Sequence, residues 1–206
     1  MSTPRRRGPS HSVMVLVIIA IAVGMGLLFD LLCTQIEYRI YPRKFSEYVE
    51  VYSDRYEIPE NVVYAMIKTE SDFDSGAVSS AGAVGLMQLM PETFDWLGES
   101  IIGERLDRGM MYDPETNIRY GICLLYRLYN KYGKWETAFA AYNAGETRVD
   151  GWLESDEYSD GEGNLRNIPL EETRNYVKKV SSAVKMYDKL YGSESEIITE
   201  AVESGA

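Results

Sequence analysis

The sequence predicts a mostly α-helical domain preceded by one membrane-spanning helix. Apolar residues recur at spacings of three and four through most of the 206-residue chain, which is the period of an amphipathic helix. Pro and Gly stand at the ends of these apolar stripes, where they begin and end helices. An unbroken apolar run near the N-terminus is long enough to cross a bilayer, and no alternating pattern predicts a strand ladder.

The predicted membrane segment begins with the apolar run from Val13 to Phe29. At a rise of about 1.5 Å per residue, residues 13–32 just span a hydrocarbon core of about 30 Å. Three consecutive arginines lie in the basic tail at 1–12, so the positive-inside rule predicts a cytoplasmic tail and an extracytoplasmic remainder. A cleaved signal peptide is the alternative. We favour an uncleaved signal anchor because no small-x-small cleavage site follows the run.

A juxtamembrane linker at 33–42 leads into a helical domain predicted at 43–192. The first helix is indicated by a stripe of aromatic and aliphatic residues at helical spacing: Phe45, Tyr48, Val49, Tyr52 and Tyr56. Pro59 suits the first position of the second helix, because its missing N–H would have no partner there. A Gly-containing loop follows, and Pro91 and Gly98 are predicted to begin and end a short helix.

The second half of the domain shows clearer helix ends. Asp113 is an N-cap residue followed by Pro at the first helical position, and this helix is predicted to end at Gly133. Another helix is predicted at about 135–143, with Gly145 as its C-terminal cap. These boundaries predict two consecutive helices joined by a short turn.

The last predicted helix starts near Pro169 and ends before Gly192. An acidic loop at 153–164 precedes it, and the sequence does not reveal the role of that loop. Residues 193–206 are acidic and predicted to be disordered, because they contain too little apolar surface to form a core.

The composition excludes several classes of function. The chain has 32 acidic and 21 basic residues, a net charge of −11 that argues against nucleic acid as a partner. Its single histidine, His11, lies in the N-terminal tail, so Ser-His and Cys-His nucleophiles are absent from the domain. The two cysteines, Cys33 and Cys123, form no metal-ligand pattern, and we expect no metal or cofactor. Any acid–base chemistry in the domain must therefore be carried out by carboxylates, Tyr or Lys.

Glu70 is the outstanding candidate for such chemistry. It lies on the same helical face as a set of apolar residues, namely Val62, Val63, Met66 and Ile67. A carboxylate on an apolar face must either reach water through a cleft or hold its proton more tightly than a surface Glu. A tightly held proton is what general acid catalysis requires near neutral pH.

Four motifs surround this glutamate in the sequence: Glu-Ser-x-Phe at 70–73, Gly-Ala-x-Gly-Leu-Met-Gln-Leu-Met-Pro at 82–91, Ala-Tyr-Asn-Ala-Gly at 141–145, and Glu-Thr-Arg-x-Tyr-Val at 172–177. Each motif alone is a weak or moderate signal. In this order and spacing, the segment from Tyr41 to Tyr191 resembles the lysozyme-like lytic transglycosylases of glycoside hydrolase family 23. Ser80, where many members of that family carry Pro, is a small departure.

This resemblance implies a lysozyme-like helical fold, of the goose-type lysozyme and lytic transglycosylase kind. It also implies a peptidoglycan glycan strand as substrate, bound in a cleft between helical lobes, and Glu70 as the catalytic acid and base. The resemblance further implies residues that contact the substrate or enclose the site: Ser79, Met87, Gln88, Tyr142, Asn143, Glu172 and Tyr176. The protein partners of the chain cannot be predicted from the sequence.

A second catalytic carboxylate is not well placed. Asp72 lies about 200° round the helix from Glu70, and Asp74 is predicted to lie beyond the helix end, near Gly76. A mechanism with one carboxylate fits better, and the resemblance implies it. Glu70 would cleave the bond between N-acetylmuramic acid and N-acetylglucosamine and leave a 1,6-anhydro end. Two alternatives remain open, a hydrolytic muramidase using the same glutamate and a non-catalytic peptidoglycan-binding module.

Overall fold

A computed structural model describes residues 11–192, and the chain divides into two compact units after Pro42. The predicted fold class is confirmed, because the described residues form eight α-helices and, between them, only three isolated β-bridges. Residues 1–10 of the basic tail predicted at 1–12, and all of the disordered tail predicted at 193–206, lie outside the described residues.

The first unit contains one long helix, α1 (His11–Ile40). By length and composition, its segment Met14–Ile40 could cross a membrane. The helix continues well beyond residue 32, so most of the segment predicted as a linker is helical. Residues 33–40 contain neither Pro nor Gly, and the helix ends shortly before Pro42, whose ring disfavours helical geometry in the preceding residue.

The second unit begins with α2 (Ser46–Tyr56) and α3 (Glu60–Ser71). The stripe predicted for the first helix is correct, although Phe45 lies just before it with a left-handed backbone, φ 61°. Helix α3 is buried on nearly all sides from Asn61 to Ile67 and packs against α2 and against the last helix of the unit. The glutamate at its C-terminal end is therefore carried by a helix that is buried over much of its length.

The short helix α4 (Pro91–Trp96) is followed by a π-helical turn at Leu97–Ile102 and a 3₁₀ turn at Arg108–Tyr112. The prediction that Gly98 ends the short helix is wrong, since the chain stays helical up to Gly103. Gly98 serves close packing instead. A Cβ added there would lie 2.7 Å from the carbonyl oxygen of Glu104.

The remaining helices are α5 (Pro114–Tyr132), α6 (Trp135–Ala144), α7 (Glu146–Leu153) and α8 (Glu171–Tyr191). The predicted N-cap of α5 is confirmed, because Asp113 Oδ2 accepts a hydrogen bond from the N–H of Thr116 at 2.9 Å. Helices α5 and α6 end at Gly133 and Gly145 as predicted, and α8 ends at Gly192. Helix α7 was not predicted, because its eight residues carry too short an apolar stripe.

Helix α5 forms the floor under the loop that joins α3 to α4. It packs against α2 and α6, and α6 packs in turn against α8. Gly121 of α5 lies directly beneath Met87 of the loop, so that a Cβ at this glycine would lie 2.3 Å from Met87 Sδ and 2.7 Å from Met87 Cβ. The missing side chain of Gly121 therefore determines how deeply the loop can sit.

We predict that Gly121→Ala destabilises the domain by about 1–3 kcal/mol, because the added methyl group must displace the Met87 side chain in a packed interior. Gly151→Ala is the matched control. Gly151 is also helical, and a Cβ there would meet no atom within 4 Å, so better helix propensity should make that variant at least as stable as the wild type. Urea unfolding of the full chain in detergent measures both, and equal free energies of unfolding would contradict the packing assignment.

Candidate active site

Glu70 lies in the last turn of α3 and is partly buried. The hydroxyl of Tyr176, a buried residue of α8, donates a hydrogen bond to Glu70 Oε1 at 2.5 Å. The same hydroxyl lies 3.5 Å from the sulfur of Met66, one turn earlier on α3. Tyr176 therefore fixes the carboxyl from the opposite helix.

Burial raises the pKa of Glu70 to about 7, and the hydrogen bond from Tyr176 partly opposes this increase. Burial disfavours the charged carboxylate because the surrounding protein solvates it less well than water does. The hydrogen bond works in the other direction, since a hydroxyl donates more strongly to an ionised carboxylate. Near neutral pH, Glu70 can therefore both give and accept a proton.

Tyr142 of α6 is the third member of this cluster. Its hydroxyl donates to the backbone carbonyl of Met87 at 2.8 Å. Burial raises the pKa of Tyr142 well above its usual value, and the negative charge of Glu70 raises it further. The pKa of Tyr176 is raised by burial, by Glu70 and by Tyr142. Three helices, α3, α6 and α8, thus bring one carboxyl and two neutral phenols together.

The loop at 72–90 is held against this cluster mainly by Asn117 of α5, which is almost completely buried. Asn117 Oδ1 accepts from the N–H of Met87 at 2.7 Å, and its Nδ2 donates to the carbonyls of Val84 at 3.0 Å and Met111 at 2.7 Å. From α3, the hydroxyl of Ser71 donates to the carbonyl of Leu86 at 2.8 Å. The loop main chain is therefore fixed from two helices.

Gly85 allows the loop to approach Asn117 this closely. It has φ +82°, a conformation that side chains rarely adopt, and a Cβ there would lie 2.3 Å from Asn117 Nδ2. Both the backbone angle and the missing side chain are thus required at this position.

Ser79 and Gln88, predicted as substrate contacts, lie in this loop and are partly exposed. Ser79 Oγ accepts from the N–H of Ala83 at 3.0 Å. Gln88 Nε2 donates to the carbonyls of Gly85 at 2.9 Å and Ala77 at 3.1 Å. Both polar groups shape the loop in this structure, and the second lone pair and hydrogen of the Ser79 hydroxyl remain for another contact.

Met87 differs from its prediction. Its side chain has no exposed surface and packs over Gly121 as part of the core. The structure therefore contradicts the expectation that the Met87 side chain lines a cleft, because the loop is drawn inward by its hydrogen bonds to Asn117. Its main chain still contributes to the site through the carbonyl that accepts from Tyr142.

Asn143 and Glu172 lie at the edge of the cluster. Asn143 Oδ1 accepts from the hydroxyl of the buried Thr173 at 2.7 Å, which joins the end of α6 to the start of α8. Glu172 is exposed in the first turn of α8. Of the predicted residues, Tyr142 and Tyr176 surround Glu70, whereas Asn143 contacts α8 and Glu172 faces solvent.

The two other acidic residues considered near Glu70 are both exposed. Asp72 forms an ion pair with Lys68 one turn earlier. Asp74 Oδ1 accepts from the N–H of Gly76 at 2.9 Å. Neither carboxylate contributes to the raised pKa of Glu70. Within residues 11–192, no group of three or more His, Cys, Asp or Glu side chains is arranged to hold a metal ion.

The sequence reasoning missed Asn117, although it lies one turn before Gly121 on the same face of α5. A polar residue and a glycine at that spacing in an apolar stripe indicate close approach of another backbone. Thr173, the partner of Asn143, was missed for a different reason. Its position inside the last motif suggested nothing beyond helix initiation.

Comparison with known proteins identifies relatives of the domain. Residues 47–164 match the transglycosylase SLT domain family. The chain is 34% identical over 169 residues to the soluble lytic murein transglycosylase of Escherichia coli K12, covering 80% of this chain and 26% of that protein. It is 28% identical over 182 residues to the membrane-bound lytic murein transglycosylase C of Haemophilus influenzae, covering 76% of this chain and 50% of that protein.

Solved structures show the same architecture. The crystal structure of the 70 kDa soluble lytic transglycosylase of Escherichia coli superposes with a TM-score of 0.69 at 32% identity, covering 77% of this chain and 26% of that one. An inactive Glu→Gln mutant of the lytic transglycosylase Slt from Pseudomonas aeruginosa gives 0.66 at 29% identity, covering 75% and 25%. The chain thus spans about a quarter of the length of these soluble relatives.

We predict that Glu70→Gln becomes progressively more stable than the wild type as the pH rises. The unfolded carboxyl ionises near pH 4.5, but the folded one keeps its proton up to about pH 7, so the wild type loses stability between these values. At about 1.4 kcal/mol per pKa unit, the loss is on the order of 3 kcal/mol.

Urea unfolding of the full chain in detergent, at intervals from about pH 4 to about pH 8, measures this difference. Glu50→Gln, the same chemical change at an exposed position of α2, is the control and should show no such trend. A stability difference between Glu70→Gln and the wild type that stays constant with pH would contradict the raised pKa.

Proposed function

Since the chain belongs to the transglycosylase SLT domain family, we propose that its second unit is a peptidoglycan lytic transglycosylase. The proposed reaction cleaves the β-1,4 bond between N-acetylmuramic acid and N-acetylglucosamine and leaves a 1,6-anhydro end without consuming water. The relatives compared above are named lytic murein transglycosylases, which supports this substrate class.

The observation that carries the proposal is the part-buried carboxyl of Glu70, with its pKa near 7 and its hydrogen bond from Tyr176. Retaining glycosidases with a carboxylate nucleophile place a second carboxyl about 5–5.5 Å from the first, and inverting enzymes place it about 6.5–9.5 Å away. The nearest candidates by sequence, Asp72 and Asp74, are exposed and engaged in local contacts. This arrangement favours a mechanism in which one residue acts twice.

In the first step, protonated Glu70 donates its proton to the glycosidic oxygen as the bond to C1 of the muramic acid residue breaks. The N-acetyl group of that same sugar stabilises the positive charge that develops at C1. In the second step, ionised Glu70 accepts the proton of the muramic acid 6-hydroxyl, whose oxygen forms a bond with C1. The carboxyl is thereby regenerated, and the tethered nucleophile provides a large advantage in orientation.

Tyr176 has a distinct role in this scheme. Its hydroxyl favours the ionised form of Glu70 that exists between the two steps, because the phenol donates to the carboxylate. Burial favours the protonated form that starts the reaction. The opposing effects keep the pKa of Glu70 near the pH at which both proton transfers must occur.

The remaining predicted residues are proposed to bind the glycan strand. Ser79 and Gln88 lie at the partly exposed surface of the loop and are proposed to contact the sugar at the cleavage point. Asn143 and Glu172 mark the opposite side, where the ends of α6 and α8 meet. Tyr142 is proposed to hold the loop in place through the Met87 carbonyl.

We predict that Glu70→Gln abolishes the release of muropeptides from purified peptidoglycan. The amide has a similar shape but cannot transfer the proton, so the rate should fall by at least about a thousandfold, within the range that acid–base catalysis and positioning supply. Mass spectrometry of the products should show 1,6-anhydro ends with the wild type and with the exposed-site control Glu50→Gln.

Other outcomes identify the alternatives. Release of reducing-end muropeptides by the wild type would mean that water attacks C1, as in a hydrolytic muramidase. Binding of peptidoglycan without any release by the wild type would mean a non-catalytic binding module. Muropeptide release by Glu70→Gln at the wild-type rate would end the assignment of Glu70.

We further propose that α1 anchors the chain in the cytoplasmic membrane, with the arginines at 5–7 inside and the second unit outside, where peptidoglycan lies. A protease added to intact cells freed of their wall should then digest the second unit. Protection of this unit until the membrane is disrupted would contradict the orientation.

A further inference from the structure

A basic pocket of about 470 Å³ lies on α8 and the segment that precedes it. Its four cationic groups are Arg166, Arg174, Lys178 and Lys185, and Glu136 is its one acidic group. Uncharged side chains complete the lining: Leu165, Asn167, Ile168, Val177, Ser181 and Ser182. Such a concentration of positive charge is unexpected in a chain whose net charge is −11.

The cations of the basic pocket are available to a ligand. Arg166, Lys178 and Lys185 are exposed, and the described part of the chain provides no ion-pair partner for any of them. By contrast, Lys131 of α5 is paired with both Glu146 and Asp150. Because unpaired like charges repel one another, a cluster of them is most stable when an anion occupies it.

The Arg174 side chain of the basic pocket is held in place by a hydrogen bond. Its Nη1 donates to the backbone carbonyl of Ile168 at 3.1 Å, which joins the first turn of α8 to the preceding segment. The guanidinium has five N–H donors, so most of them remain for a ligand. A side chain that is already held in place loses less entropy when it binds.

The spacing of the polar groups indicates an elongated ligand. Arg174, Lys178 and Lys185 lie on one stripe of α8, separated by four and seven residues, with Ser181 and Ser182 between the last two. At about 1.5 Å per residue, this stripe is roughly 16 Å long. A single small anion would contact only one end of it, whereas a chain with several anionic groups would contact all of it.

The chemistry of the lining favours phosphate groups over other anions. Arg, Lys, Ser and Asn side chains are the groups that contact phosphate oxygens in nucleic-acid complexes. The basic pocket has these donors but its lining contains no aromatic ring on which a base could stack. Its apolar lining is aliphatic, from Leu165, Ile168 and Val177, and suits the short carbon units between phosphates.

We propose that the basic pocket binds a phosphodiester polymer whose repeating unit is small and non-aromatic. This inference goes beyond the proposed transglycosylase function, because it assigns a second ligand to a surface that takes no part in the chemistry at Glu70. It predicts a domain that holds an anionic polymer while it acts on a glycan strand.

The test is binding of a synthetic glycerol phosphate oligomer to the full chain in detergent, followed by isothermal titration calorimetry at low salt. Lys178→Glu, which reverses one charge inside the basic pocket, should weaken binding at least about tenfold. Lys179→Glu is the matched control, because Lys179 is the adjacent exposed lysine of the same helix and does not line the pocket. It should bind within about twofold of the wild type.

Two further probes, a glutamate oligomer and phosphatidylglycerol vesicles, complete the experiment. A glutamate oligomer of equal charge should bind at least about tenfold more weakly than the phosphate oligomer, and equal binding would overturn the assignment of phosphate. Equal losses in Lys178→Glu and Lys179→Glu would mean diffuse attraction and overturn the pocket. Binding to phosphatidylglycerol vesicles that depends on Lys178, without binding to the oligomer, would identify a lipid surface and overturn the polymer.

The two proposals can fail separately. Glu70→Gln should bind the glycerol phosphate oligomer as tightly as the wild type, because Glu70 lies on α3 and does not line the basic pocket. Loss of muropeptide release together with intact oligomer binding would therefore support both assignments. Loss of oligomer binding in Glu70→Gln would show that the two sites are not distinct and would overturn the independent pocket.

Discussion

The three hydrogen bonds of the buried Asn117 side chain determine the geometry of the site. They fix the main chain of the loop at Val84 and Met87 and join it to Met111. An unsatisfied buried amide would cost about 1–3 kcal/mol per group, so the loop has one strongly preferred position.

This position of the loop requires Gly85 and Gly121, since a side chain at either would collide with Asn117 or Met87. It also directs the Met87 carbonyl to the hydroxyl of Tyr142, and this places a neutral phenol beside Glu70.

Local signals in the sequence were sufficient for most helix ends and for the reactive residue. Helix ends are set by backbone geometry within a few residues, so they can be predicted without knowing the rest of the fold. This holds for the start of α5 at Asp113 and Pro114 and for the helix ends at Gly133 and Gly145. Glu70 can be recognised from the sequence because a charged side chain is unexpected on an otherwise apolar helix face. The sequence does not show which distant side chains contact the Glu70 carboxyl in the folded protein. Tyr176 lies 106 residues away, and only the packing of α8 against α3 brings its hydroxyl to the carboxyl.

The errors share a physical cause. Met87 and Gly98 were interpreted from their immediate neighbours, one as a cleft residue and the other as a helix terminator. Both positions are decided by long-range packing, over Gly121 in the first case and against the carbonyl of Glu104 in the second. Asn117 was missed because two of its three partners, Met87 and Val84, lie 30 and 33 residues away in the sequence. A buried polar residue can be recognised from a pattern, but its partners follow only from the tertiary structure.

The two proposals assign different functions to opposite faces of helix α8. Tyr176 and Lys178 are two residues apart, about 200° round the helix, so one faces Glu70 and the other the basic pocket. This separation has an electrostatic advantage for the proposed chemistry. A phosphate beside Glu70 would raise its pKa further and oppose the ionised form that must accept the second proton. An anionic polymer on the far face of α8 reduces that repulsion, because the energy between two charges falls as the distance between them grows.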